Sequence, residues 1–316
     1  MEFNLALVQQ ALDRYYLQET RTQNLLKRRN SGSAIEAIEL PIFPALQIYC
    51  FESVTSTNTA VWDLLSQGAR AGTVAIALTQ QAGRGQRGKQ WVSNSGGLYL
   101  SIGLAPNLSV HKATQLTLSS AWGIAQVLRD RSIPVQIKWL NDLVVQGRKL
   151  GGILTETRSY QGRIHQAVVG VGINWSNSVP EVGVNLKTVL SEVLAEPARS
   201  PANPIAPDLT IASLEQLAAT VLWGIRTGYE LWRQQGTAAL ISAYETLLAN
   251  RGDVIDINDR PGTVVGITAT GQLRVYLQPS QDQTLKPQAI TLDPGSISLG
   301  YRFSGGCAEC DPQKSS

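Results

Sequence analysis

One stretch of the chain concentrates residues that could handle an anion: Gln80-Gln81-Ala82-Gly83-Arg84-Gly85-Gln86-Arg87-Gly88-Lys89-Gln90-Trp91. Glycines let backbone N–H groups approach a bound anion, and arginines supply charge that does not titrate away. Such a loop suits a phosphate or a carboxylate, while composition alone describes a solvated hairpin tip as well. Gly83, Gly85 and Gly88 match the spacing G-x-G-x-x-G, and Gly83, Gly88 and Lys89 match most of a P-loop. Neither motif holds. Gln90 stands where a P-loop needs Ser or Thr for magnesium, and both motifs must open a helix, whereas this stretch leads into the strand-like run Leu98–Leu104. A dinucleotide site also needs an acid about 20 residues on, and no Asp or Glu occurs between Gly83 and Arg129.

A second group of segments carries further candidates: Lys138-Trp139-Leu140-Asn141-Asp142, then Arg148-Lys149-Leu150-Gly151-Gly152-Ile153-Leu154-Thr155-Glu156, then Gly170-Val171-Gly172-Ile173-Asn174. With Ser56-Thr57-Asn58 and the glycine–arginine loop ending in Trp91, these segments closely resemble, in order, the sequence marks of the biotin–protein ligases. The resemblance covers residues 46–250. Residues 251–303 look like the small SH3-like C-terminal domain of the same family. Residues 1–45 do not resemble the DNA-binding domain of its repressor members, so no DNA contact is expected.

The resemblance implies activation of biotin with ATP and Mg2+ to biotinyl-5′-AMP, then transfer to one lysine of the biotin carboxyl carrier protein of acetyl-CoA carboxylase. No tightly bound prosthetic group and no protein-held metal are implied. A carboxylate must attack an α-phosphate, so fixed cations and backbone donors are needed to offset the repulsion of two anions. Lys149 matches the lysine at the carboxylate–phosphate junction, with Arg84 and Asp142 as the other catalytic candidates. Ser56, Thr57, Asn58 and Gln80 match positions on the ureido side of biotin, and Ser56-Thr57-Asn58 also reads as a helix N-cap. Gly83, Arg84, Gly85 and Gln86 of the loop, together with Lys149, Gly152 and Gly172, complete the biotin-binding set that the resemblance implies. The two last glycines would let backbone approach the ligand. Arg87, Lys89, Trp91, Asn141, Asp142 and Asn174 match positions near the nucleotide. Two departures stand out: Leu140 replaces the usual proline after Lys-Trp, and Gln86 occupies a place often filled by arginine.

These residues need a frame to hold them. Val74–Leu78, Leu98–Leu104, Val135–Leu140, Leu143–Val145, Leu150–Thr157 and His165–Asn174 read as strands, several joined by short turns such as Gln146-Gly147 and Gln161-Gly162. Consecutive strands with short turns mean an antiparallel or mixed sheet. Apolar steps of three and four residues from Ala113 to Leu128 mark a helix, Ala60–Leu65 a shorter one, and Ile211–Gln235 and Thr237–Asn250 two more. The expected fold is therefore α+β, a mixed or antiparallel sheet with helices plus a small β-barrel; the resemblance implies that the first is a class II synthetase-like biotin/lipoate ligase catalytic domain and the second SH3-like. Residues 1–30 read as an amphipathic helix forming a peripheral arm. Pro197, Pro201, Pro204 and Pro207 mark a surface loop. Residues 304–316 read as a disordered tail in which Cys307 and Cys310 form a lone C-x-x-C without the further ligands that zinc needs.

Composition narrows the alternatives. The chain has 316 residues and a net charge of only +3, too small to mark a nucleic-acid protein. Trp91 is the one aromatic in the basic loop, which argues against RNA recognition by base stacking. No apolar run approaches the ~18 residues of a membrane helix, and the acidic residues Glu2 and Asp13 argue against a signal peptide. Three cysteines cannot build a disulfide framework, which points to a reducing cytoplasm. A lipoate–protein ligase, a non-catalytic biotin sensor and an RNA-binding module are the competing readings. A monomer or a homodimer is expected.

Overall fold

The computed structural model describes residues 3–29, 43–195, 211–279, 286–297 and 299–301. The proline loop at 197–207 and the tail from 304, with its cysteine pair, lie outside these residues.

The frame is a mixed sheet. Strand β1 (Gln47–Val54) runs parallel to β2 (Thr73–Gln80), and the other strand-to-strand ladders of this sheet are antiparallel. Across the sheet the order is β1, β2, β3 (Gly97–Leu104), β8 (Arg163–Asn174), β7 (Arg148–Tyr160), β6 (Asp142–Val145) and β5 (Gln136–Lys138). The short strand β4 (Leu108–Ser109) pairs with the start of β8. Sequence reading missed β1. It is an edge strand whose residues are exposed or half-buried, so it lacks the continuous apolar run that betrays β2 and β3.

Helices cover both faces. Strand side chains alternate between faces, and the packing separates accordingly. Helix α2 (Thr57–Ser66) lays Val61, Trp62 and Leu65 on Ala75 and Val168. Helix α3 (Ala113–Arg129) and helix α5 (Leu214–Thr246) lie on the opposite face, in one continuous core with Val74, Ile76, Leu98, Leu100, Val169 and Val171. The two helices approach so closely that a Cβ at Gly123 would fall 2.0 Å from the Gly224 carbonyl oxygen, and one at Gly228 would fall 1.9 Å from that of Ser119. A break at Gly236 (φ 84°) divides α5, which accounts for the two helical segments in the sequence. A fourth helix, α4 (Leu186–Ala195), follows the turn after β8.

Helix α1 (Leu5–Arg29) departs from the expected peripheral arm. Val8, Leu12 and Tyr15 are buried in the main core. The Tyr15 ring stacks on Trp223 of α5 at 4.9 Å, and its hydroxyl donates to the Thr220 hydroxyl at 3.0 Å. The helix thus has an apolar stripe with a partner, so its first half is part of the core.

The C-terminal β unit is an antiparallel four-stranded sheet in the order β12 (Gln288–Leu292), β11 (Leu273–Leu277), β10 (Arg260–Ile267), β9 (Val254–Ile257). It leans on its neighbour, as a segment of this size must. Val264, Ile267, Leu273 and Val275 continue the main core. Trp139 Nε1 donates to the Gly271 carbonyl at 2.8 Å, and Ile267 N donates to Glu245 Oε1 at 2.8 Å. Among the described residues, no helix is long and apolar enough to cross a membrane.

Candidate functional site

The slot lies on the α2 face of the sheet, and strand register builds it. Gly152 of β7 pairs with Gly172 of β8, Asp142 of β6 pairs with Gly152, and Tyr99 of β3 pairs with Gly172. These four residues form one row across four strands. Two residues along β8, Gly170 pairs with Leu154 and with Ser101 in the next row. The period of two puts Gly170 and Gly172 on the same face as Val168, which packs under α2.

The missing side chains are filled by neighbours. A Cβ at Gly172 would lie 2.6 Å from Trp91 Nε1, and one at Gly170 would lie 2.1 Å from Asn58 Oδ1. The Trp91 indole therefore rests on β-sheet backbone, with its Cζ3 3.7 Å from the Cβ position of Gly152. Trp91 Nε1 is buried and has no hydrogen-bond partner among the described residues.

Lys149 and Asp142 meet at the end of this row. Lys149 Nζ is 2.8 Å from Asp142 Oδ1 and 5.3 Å from the centre of the Trp91 ring. Both side chains are mostly shielded, at 27% and 13% exposure, so their charges are weakly screened. The backbone of Lys149 is fixed from both sides: its N–H donates to the Val182 carbonyl, and its carbonyl accepts from Val184 N. Asn174 Nδ2 reaches that same carbonyl at 3.4 Å and that of Val184 at 3.3 Å. Asn141 Nδ2 donates to the Ile153 carbonyl at 2.8 Å. Asn141 and Asn174, taken from sequence as nucleotide contacts, thus use their amides on backbone here.

At the other end, polar side chains form a connected cluster. Thr57 N donates to Gln80 Oε1 at 2.8 Å, and Gln80 Nε2 donates to the Ser93 hydroxyl at 2.7 Å. Ser93 in turn donates to the Trp91 carbonyl at 3.0 Å. The Ser101 hydroxyl lies 2.7 Å from both Thr57 Oγ1 and Asn58 Oδ1. Ser56, Thr57 and Asn58 are all buried. Ser56 occupies the N-cap of α2, but its side chain makes no capping hydrogen bond, so the capping half of its expected double role is not seen. Burial pushes the Tyr99 phenol, which donates to the Asn94 carbonyl at 2.6 Å, up to about 12.

The glycine–arginine loop is folded on itself. Trp91 N donates to the Gly83 carbonyl, Gly85 N to that of Lys89, and Arg84 bridges to Gln90. A single 3-10 turn spans Gln86–Gly88, with Arg87 in the left-handed region at φ 60°. A Cβ on Gly83 would fall 2.4 Å from Ser93 Oγ, so the loop base has room for glycine only. Gly85 sits inside the loop with its Cβ position 3.2 Å from the Lys89 carbonyl. Lys89 is exposed.

Two arginines of the loop make contacts with residues other than the Lys149–Asp142 pair. Arg84 Nη2 lies 3.2 Å from Glu156 Oε1 and 3.3 Å from Thr59 Oγ1. Glu156 also accepts from Trp62 Nε1 at 2.8 Å. The guanidinium of Arg87 crosses to the C-terminal β unit and takes the place of a side chain on Gly295.

Sequence reasoning passed over Ser93, Ser101, Glu156, Gly170 and Tyr301. Ser101 carried a signal, since it interrupts the apolar run Leu98–Leu104. Gly170 shares a face with Gly172 by the period of two. Tyr301 carried none: its hydroxyl donates to Asp142 Oδ2 across 159 positions of chain.

The chain matches known proteins in the same region. The Biotin/lipoate A/B protein ligase family matches residues 50–174. The bifunctional ligase/repressor BirA of Escherichia coli is 34% identical over 242 residues, which cover 74% of this chain and 69% of that protein. BirA of Bacillus subtilis is 34% identical over 148 residues, covering 45% of this chain; the matched part spans 46% of that protein's length. The solved structure of biotin protein ligase from Aquifex aeolicus in complex with biotin and ATP aligns over 77% of this chain and 94% of its own. Its TM-score of 0.56 at 22% identity shows a shared fold. With the glycine–arginine loop, the Lys149 strand and the Gly172 strand all inside the matched span, the chain belongs to the biotin–protein ligase family.

Proposed function

We propose that the protein activates biotin with ATP and passes the biotinyl group to a lysine of a carrier protein, the biotin carboxyl carrier protein of acetyl-CoA carboxylase. The Lys149–Asp142 pair, at the end of a glycine-floored slot beneath Trp91, is the observation that carries this reading. The relatives named as ligases support it.

In the first step a carboxylate oxygen of biotin attacks the α-phosphorus of ATP, which enters with its magnesium, and pyrophosphate leaves. Lys149 supplies a fixed cation where two anions converge, so charge that develops in transfer is met without reorganisation. Asp142 holds that ammonium in place until ligand arrives. In the second step the amine of the carrier lysine attacks the acyl carbon; AMP leaves, and the amine loses a proton. The buried polar cluster of Ser56, Thr57, Asn58 and Gln80 offers the acceptors and donors a ureido ring requires, and Trp91 offers an apolar wall for the valeryl chain. Arg84, Gly83, Gly85 and Gln86 of the loop would cover biotin, and Arg87 and Lys89 would face phosphate once they leave their present places.

Incubation with ATP, radiolabelled biotin and a biotin-carrier domain tests the reading. Label on the carrier, dependent on ATP, is expected. Label from lipoate in place of biotin, or no transfer at all, would overturn it.

A further inference from the structure

Tyr301 stands at the far end of the described chain, beyond the C-terminal sheet, yet its side chain enters the slot. Its hydroxyl donates to Asp142 Oδ2 at 2.5 Å, while Lys149 holds Oδ1. Its ring lies 4.1 Å from Lys138 Nζ and 5.9 Å from Lys149 Nζ. The Lys149 ammonium thus sits on a carboxylate with the rings of Trp91 and Tyr301 both within cation–π reach.

We infer that Tyr301 is a positioning residue for the Lys149–Asp142 pair, acting through Asp142 in the adenylation step. The inference rests on the ligase reading above. A carboxylate gripped at one oxygen can swing about its terminal torsion, which is broad. A short hydrogen bond to the second oxygen removes that freedom and fixes where Lys149 waits. The hydroxyl also takes part of the carboxylate's charge, which loosens its hold on the ammonium. Lys149 can then turn to an incoming carboxylate and phosphate without first breaking an undivided ion pair. The C-terminal segment is thereby tied to the reacting centre through Tyr301 on Asp142, and it also meets the glycine–arginine loop where Arg87 lies against Gly295.

The test is biotin-dependent pyrophosphate exchange by the full chain, with Tyr301→Phe made in the wild type and in Asp142→Asn. Tyr301→Phe keeps the ring and loses only the hydroxyl. The expected result is a fall of about tenfold in kcat, with KM for biotin and the melting temperature unchanged. In the Asp142→Asn background the same change should cost less than twofold, because residues that act as a unit are not additive. A purely structural role would move the melting temperature and would give the same loss in both backgrounds. Wild-type exchange left intact by Tyr301→Phe, or an equal loss in the two backgrounds, overturns the inference alone. No exchange by the wild type overturns the ligase reading and this inference with it.

Discussion

The indole of Trp91 lies on the backbone of Gly172, close enough that a Cβ there would come within 2.6 Å of its Nε1. The contact joins the base of the glycine–arginine loop to the floor of the slot. Gly172→Ala should therefore lift the indole off the sheet and roughen the apolar wall against which ligand packs. Biotin affinity measured by calorimetry should fall about tenfold, the range that one misplaced pocket contact produces. Unchanged affinity would show that Trp91 and biotin do not share this surface.

Lys149 is expected to be the most sensitive position, because it is the cation of the proposed junction. Lys149→Gln removes the cation at the proposed junction and leaves the shielded Asp142 carboxylate without its ion-pair partner. Loss of one such electrostatic contact costs about 10²- to 10³-fold in rate. Pyrophosphate exchange should drop by that factor while the circular dichroism spectrum stays native. Near-normal exchange would sink the assignment.

Arg84 and Glu156 form a latch between the loop and β7. The pair is exposed on the arginine side, at 45%, so its contribution to global stability is at most ~1 kcal/mol. Glu156→Gln should leave the melting temperature nearly unchanged and speed trypsin cleavage after Arg84, Arg87 and Lys89 severalfold. Biotin with ATP should slow cleavage in the wild type by holding the loop over ligand. Cleavage rates indifferent to ligand would rule out that ordering.

Tyr99 gives the fold an alkaline limit. Burial raises its phenol to about 12, from 10.0 for a free side chain. The unfolded chain releases this proton first, so the stabilisation is complete below about pH 10 and is lost as pH rises through about 12. Urea midpoints should fall across that window in the wild type and fall less steeply in Tyr99→Phe, which has no proton to release. Identical slopes would assign the alkaline limb to other groups.

What the sequence made legible followed from local pattern. Strands β2, β3, β7 and β8 are apolar enough along their buried stretches to be read directly, and Gly236 announced the break in α5. Strand β1 and the seating of α1 were not legible, because each depends on a partner distant in the chain: β2 for the first, Trp223 and Thr220 for the second. Within the site, the motifs located Lys149, Asp142 and the glycine pair. They did not reveal that Asn141 and Asn174 bond backbone, that Arg84 is held by Glu156, or that Tyr301 reaches Asp142. Those are matters of which side chain wins a given acceptor, and such contests are decided by register and loop path.

The touching backbones of α3 and α5 have a consequence for anyone who maps this protein by random substitution. Gly123, Gly224 and Gly228 lie on the sheet face opposite the slot, yet each is packed too closely to take a side chain. A screen scored by growth or by biotin transfer would therefore rank them beside Lys149. Soluble yield would separate the two groups. Variants at the three glycines should fall out as aggregates that cooler expression partly rescues, whereas Lys149 variants should accumulate as well-behaved, inert protein at every temperature.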